Sequence, residues 1–185
     1  MTTRVYEVIP AEGEFEWASL IGMDYDDYLS MFEDGHPLSK NWTPLKFERG
    51  HPTNDRKKPL RSDFPWSMGH PLVIREKAVT LLGPILERYA EVLPLEDTKG
   101  EAIFAINVLN VIDALDREDS KIVYFLGSNR ILDVEKYVFK KALVEGVDLF
   151  RLPGRSVGTL VSQNFVDAVR NAGLVGIDFK LLWEG

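Results

Sequence analysis

One stretch of this chain carries a long helical period, and the rest of the fold has to cover it. Ile74, Ala78, Leu81, Leu82, Ile85, Leu86 and Tyr89 recur at three- and four-residue spacing, which places them on one apolar stripe of a helix over residues 74–89 that must face a core. Pro84 falls inside the stripe. A proline removes a backbone donor and costs roughly 3 kcal/mol in an unkinked helix interior, so a kink or two shorter helices are expected. Short runs read as strands at 4–9, 45–49, 102–107, 121–126, 149–152 and 174–183, with turn residues such as Gly127-Ser128-Asn129 and Pro153-Gly154 between them. Pro10, directly after the first run, suggests a sheet edge. Two further helices fit. One covers 24–32, with Tyr25, Tyr28, Leu29 and Phe32 on one side and Asp24, Asp26 and Asp27 crowding its first turn; the other covers 163–172, which Ser162 can cap and Gly173 can end. Strands and helices do not alternate regularly, so the expected class is α+β, a mixed or mainly antiparallel sheet packed by a few helices.

The chain's 185 residues are near the size of one domain. Residues 1–185 are expected to form a single domain, with a loop-rich acidic and basic part over 1–61 and a core over 62–185. Hydrophobic residues at 45% and charged residues at 28% are ordinary for a chain that folds on its own. The absence of cysteine excludes a disulfide scaffold, a thiolate metal site and a cysteine nucleophile. No early apolar run resembles a signal peptide, and none elsewhere approaches the roughly 20 residues of a membrane span, so a cytoplasmic protein with no membrane partner is expected.

The net charge of −7 is unevenly spread. Residues 1–39 hold nine carboxylates, Glu7, Glu12, Glu14, Glu16, Asp24, Asp26, Asp27, Glu33 and Asp34, against Arg4 alone. Residues 40–61 reverse the sign with Lys40, Lys46, Arg49, Arg56, Lys57, Lys58 and Arg61 against Glu48 and Asp55. An acidic field repels phosphate backbones and draws in basic partners, so nucleic acid is not the expected ligand. The same segment carries Tyr25, Tyr28 and Trp42, residue types that anchor protein interfaces and pack cores equally well.

Motifs for chemistry are sparse. Each histidine, His36, His51 and His70, precedes a proline, and X-Pro spacing reads as extended backbone or turn more readily than as a metal site. No serine lies in a Gly-x-Ser-x-Gly elbow, and no glycine-rich phosphate loop is present. The carboxylates around Asp116, in Asp113-Ala-Leu-Asp116-Arg117-Glu118-Asp119-Ser120, suit local turns better than a hard-cation loop. No cofactor, metal or catalytic residue is expected. The competing reading is an enzyme of unrecognised type using His36, His51 or His70 with carboxylates near Asp116; a third is an oligomeric interaction module.

An ordered series of fragments then gives direction. Ser62-Asp63 precedes LVIREKAVTLLGPILERY; Val92-Leu93-Pro94-Leu95 follows, then INVLNVIDALDREDS at residues 106–120, Leu149-Phe150-Arg151-Leu152, Val161-Ser162 with Asn164-Phe165, and Leu174-Val175-Gly176-Ile177-Asp178-Phe179. Over residues 62–183, with a weaker match in Trp42-Thr43-Pro44, this series resembles the polymorphic-toxin immunity proteins of immunity family eleven, formerly a domain of unknown function. The resemblance implies a bacterial cytoplasmic protein that binds and neutralises a cognate toxin, often encoded beside it and delivered between competing bacteria, and it supplies no catalytic residues. The matching residues themselves look structural: Leu93-Pro94 ends a helix connection, Asn107 and Asn110 satisfy backbone groups, Asp116 with Ser120 closes a turn, and Gly176 permits tight packing. The partner surface is therefore expected in the first third, with Glu12, Glu14, Glu16, Asp24, Asp26, Asp27, Glu33 and Asp34 steering a basic toxin and Tyr25, Tyr28 and Trp42 as anchors.

Overall fold

The computed structural model describes residues 2–51, 53, 58–67, 71–154 and 158–185. Among them lie eleven strands and four α-helices: β1 (Arg4–Pro10), β2 (Trp17–Ile21), α1 (Tyr25–Ser30), β3 (Lys46–Gly50), β4 (Leu72–Arg75), α2 (Glu76–Tyr89), β5 (Ala90–Asp97), β6 (Ile103–Val108), β7 (Lys121–Tyr124), β8 (Ile131–Lys136), α3 (Lys141–Val144), β9 (Leu149–Phe150), β10 (Leu160–Ser162), α4 (Gln163–Asn171) and β11 (Ile177–Glu184). One sheet has the order β11-β1-β10-β9 and is antiparallel throughout. A second runs β2-β3-β5-β6-β4 and is antiparallel except where β3 meets β5. β7 and β8 form a separate hairpin. The architecture is α+β.

The second sheet is covered on both faces, and its sequence shows how. In β4, Leu72 and Ile74 point into a core shared with Leu82 and Leu86 of α2 and Phe165 of α4, while Val73 points the opposite way. In β6, Ile106 and Val108 join the first core and Ile103 and Ala105 the second. Successive strand side chains alternate between faces. The second core is closed by Tyr28 and Phe32, from α1 and the turn after it, which pack on Phe47, Leu93 and Leu95. A third cluster, including Leu115, Ile131, Val134, Phe139 and Phe150, lies beneath the β7–β8 hairpin.

Several expectations change against these coordinates. The helix begins at Glu76, because Ile74 belongs to β4, and Leu81 is exposed instead of joining the apolar stripe. The helix is also not divided at Pro84. Pro84 and Thr80 both sit on the exposed side, so the carbonyl that loses its partner is open to water. β1 is no edge: it pairs with β10 on one side and β11 on the other. Pro10 is harmless there because it falls in the last β1–β11 pair, beyond the reach of β10. Leu93-Pro94 does not end a helix connection but sits in the middle of β5, where Pro94 turns its carbonyl to the indole of Trp42 (2.7 Å).

The α4 expectations hold: the Ser162 hydroxyl accepts from Phe165 N (3.3 Å), and Gly173 takes a left-handed φ of 59°. Gly176 is required by contact. Its φ is 109°, and a Cβ there would lie 1.7 Å from Ser62 Oγ. The Ser62-Asp63 pair is bonded to the same segment, since Asp63 N donates to Val175 O (2.8 Å) and Val175 N to the Asp63 carboxylate (3.0 Å). Two fragments of the ordered series, far apart in sequence, thus meet in space. No helix among the described residues is long and apolar enough to cross a membrane.

Candidate partner-binding surface

The acidic first third divides between surface and interior. Asp24 caps α1, its carboxylate accepting from Asp26 N (2.9 Å), and Asp26 and Asp27 project from the exposed first turn. Glu12, Glu14 and Asp34 are exposed and Glu33 is half-buried. Glu16 differs from all of these. It is only 7% exposed and bridges two arginines, accepting from Arg49 Nη1 (2.8 Å) and from Arg75 Nη2. Arg49 also reaches Asp97 (2.9 Å) and Glu101 (3.2 Å), and Glu101 holds Arg61 and Arg75. Burial pushes the Asp97 carboxyl up, but its hydrogen bonds from Arg49 and from backbone N–H groups outweigh this and leave it below the usual carboxylate range. Glu16 therefore pins the end of the second sheet and presents no charge to a partner.

The aromatic residues divide likewise. Tyr28 is fully buried, with edge contacts to Phe32 at 5.2 Å and Phe47 at 5.7 Å between ring centroids, so it cannot reach a partner. Tyr25 and Trp42 are half-buried. Burial pushes the Tyr25 hydroxyl up to about 12, which keeps it a neutral hydrogen-bonding group at physiological pH.

What positions α1 is the C-terminal half of the chain. Arg151 is fully buried and donates from Nη1 to the carbonyls of Phe32 and Glu33, just past the helix, where a cation is favoured by the helix dipole. Asn107, also buried, donates to His36 O (2.8 Å) and to Glu91 (3.0 Å). Glu91 in turn accepts from Leu38 N (2.6 Å) and Ser39 N (3.2 Å). Burial pushes the Glu91 carboxyl up, and the bonds from Ser39, Leu38 and Asn107 more than reverse it. Gly35, with φ 65°, passes so close that a Cβ would lie 2.8 Å from Leu109 O.

α1 shares a groove with the β7–β8 hairpin, lined by Asp26, Leu29 and Glu33 on one wall and Phe125, Arg130 and Leu132 on the other. The hairpin wall and tip carry exposed apolar groups: Phe125 at 46%, Leu132 at 53% and Leu126 at 105%. None of these was among the expected partner-binding residues, although the sequence carries a readable signal. Tyr124-Phe125-Leu126 runs straight into Gly-Ser-Asn, and turns are ordinarily polar.

Of the enzyme alternative's residues, His36 and His51 do not converge. The main chain of His36 is bonded to Asn107, paired with Glu91 at the start of β5, whereas His51 follows β3, whose Phe47 pairs with Asp97 at the end of β5. The two thus lie beyond opposite ends of the sheet. His51 is held locally by Thr53, whose N donates to Nδ1 (3.2 Å). His70 lies outside the described residues, as do Arg56 and Lys57 of the basic stretch. Asp116 closes a turn, accepting from Glu118 N (3.1 Å) and Asp119 N (3.3 Å), and Asp113 pairs with Arg117 (3.0 Å). Among the described residues no three His, Asp or Glu side chains come together as metal ligands.

No curated protein matches the chain. A family model described as Immunity protein family (Imm11) matches residues 91–182. That stretch begins at Glu91, in β5, instead of at Ser62, and it contains Glu91, Pro94, Asn107 and Arg151, which bond to the segment after α1. Residues 91–182 thus carry this chain's likeness to the immunity protein family.

Proposed function

We propose that this protein binds a cognate bacterial toxin and neutralises it by stoichiometric occlusion, with no catalytic step of its own. The family match over residues 91–182 carries this reading. Supporting it, the part of the chain outside the match supplies an acidic helix, and the matched part supplies buried side chains that hold it. The surface contributing the toxin contact comprises Asp24, Asp26, Asp27, Glu33 and Asp34 with Tyr25 and Trp42, and Glu12 and Glu14 add to the long-range field. Such a field accelerates encounter with a basic toxin surface and disfavours nucleic acid. Residues 1–185 act as one domain in the bacterial cytoplasm, in a polymorphic-toxin system serving interbacterial competition.

The test is growth rescue. Cells expressing the toxic C-terminal domain of the neighbouring gene's product should survive when this chain is co-expressed, and the purified pair should run as a 1:1 complex by light scattering. Rescue without a complex, or rescue at far substoichiometric levels, would point to catalysis and overturn the reading.

A further inference from the structure

The β7–β8 hairpin tip leaves a built apolar projection uncovered. Its turn is braced: Phe125 N donates to Arg130 O (3.0 Å), Ser128 N to Phe125 O (3.1 Å), and Arg130 N to Ser128 Oγ (3.2 Å). Ile131 N is bonded to Gly154 O (2.9 Å), and Ile131 and Val134 are buried in the cluster below. Tyr124 is steadied by Arg117, which donates to its hydroxyl (3.1 Å). Leu126 is held out into solvent by this bracing, with Phe125 and Leu132 beside it facing α1 across the groove. Carboxylates flank it: Asp26 and Glu33 line the groove, Asp133 follows Leu132 on β8 and is exposed, and Arg130, the cation lining the groove, lies 3.8 Å from Glu33.

We infer that the hairpin tip is the anchor of the toxin interface, inserting Leu126 and Phe125 into an apolar pocket of the toxin whose rim is basic and faces Asp26 and Asp27. This rests on the proposed immunity function and adds its central contact. The sign of the charge selects the occupant, because exposed carboxylates around an apolar tip repel anionic lipid headgroups and favour a cationic protein rim. Apolar side chains at the centre of an interface chiefly govern dissociation, and charges at its rim govern association.

The full-length chain and the toxic domain of the neighbouring gene's product are compared by surface plasmon resonance. Leu126→Ser should speed dissociation by at least about tenfold with association little changed. Asp26→Lys with Asp27→Lys should slow association roughly tenfold and flatten its salt dependence. Leu60→Ser, an exposed site that bridges to Phe15 ahead of β2, at the end opposite α1, should alter neither. Leu126 touches no core cluster, so its variant folds, and an unchanged circular dichroism melt verifies this. Wild-type dissociation in Leu126→Ser, with rescue intact, overturns the hairpin anchor and leaves the immunity function standing. Failure of the wild-type chain to bind or rescue removes both. Concentration-dependent dimers that Leu126→Ser abolishes would assign the tip to a second copy, and co-sedimentation with phosphatidylglycerol vesicles would assign it to a membrane; either result overturns the anchor.

Discussion

Glu16 and Asp27 are eleven residues apart in one acid-rich segment, yet they serve opposite ends of β2. Before β2, Glu16 is enclosed between Arg49 and Arg75, in a network completed by Asp97, Glu101 and Arg61. After β2, Asp27 stands in the exposed first turn of α1. A run of like charge in a sequence is thus a mixture, and only the fold separates carboxylates that neutralise buried cations from those that project a field. The acidic surface is smaller than the composition implies: Asp24, Asp26, Asp27 and Asp34 gather after β2, while Glu12 and Glu14 stand exposed before it.

The largest effect that would test this contrast is on folding. Glu16→Leu leaves two buried guanidinium groups without their shared carboxylate and should cost about 3–5 kcal/mol in urea denaturation. Asp27→Asn should change stability by less than about 0.5 kcal/mol. Equal costs at the two sites would erase the distinction. Next in size is Arg151→Met, which strips the carbonyls of Phe32 and Glu33 of a buried donor and should cost about 1–3 kcal/mol. Its signature is local: amide exchange should accelerate over residues 24–34 before it does in β6.

Acid should separate the two ends as well. The Asp97 and Glu101 carboxyls are pushed up by burial and pulled below the usual range by their arginines. Groups depressed in the folded state contribute stability that is complete above the unfolded carboxylate pKa, about 4, and is lost as pH falls through the lower folded values. The thermal midpoint should therefore hold from pH 7 to about 5 and decline below about 4, and Asp97→Asn should flatten that decline. Asp26→Lys with Asp27→Lys should also have a small effect on stability, within about 1 kcal/mol. Asp24 is best left in place there, because it caps α1 and its loss would cost about 1 kcal/mol on its own account.

The fold was legible wherever a local signal sufficed. Ser162 and Gly173 bracket α4, Asp24 starts α1, and Gly127-Ser128-Asn129 marks the β7–β8 turn. β4 was hidden because Leu72-Val73-Ile74 runs into a helical stripe without a break, and a short apolar run has no period of its own. β5 was hidden by Pro94, which a strand tolerates only where its nitrogen faces away from the ladder. Glu16 could not be assigned from sequence, since its partners Arg49 and Arg75 lie 33 and 59 residues away. Tyr28 fits an anchor and a core residue equally well, and its burial against Phe47 is a fact of the β2–β3 pairing. The apolar hairpin tip was readable, but Tyr124-Phe125-Leu126 continues an apolar strand run, and such a run looks the same whether its end is buried or exposed.

Arg151, Asn107 and Glu91 share a further property. Toward the segment after α1 their bonds end mostly on main-chain atoms, Phe32 O, Glu33 O, His36 O, Leu38 N and Ser39 N, with the Ser39 side chain also bonded to Glu91. A clamp that grips peptide groups places little demand on the exposed side chains beside it, although Phe32 and Gly35 are fixed by their own packing. Under the proposed function, the exposed carboxylates can therefore change with the toxin while the socket that holds them stays, and specificity becomes a replaceable part on a fixed mount.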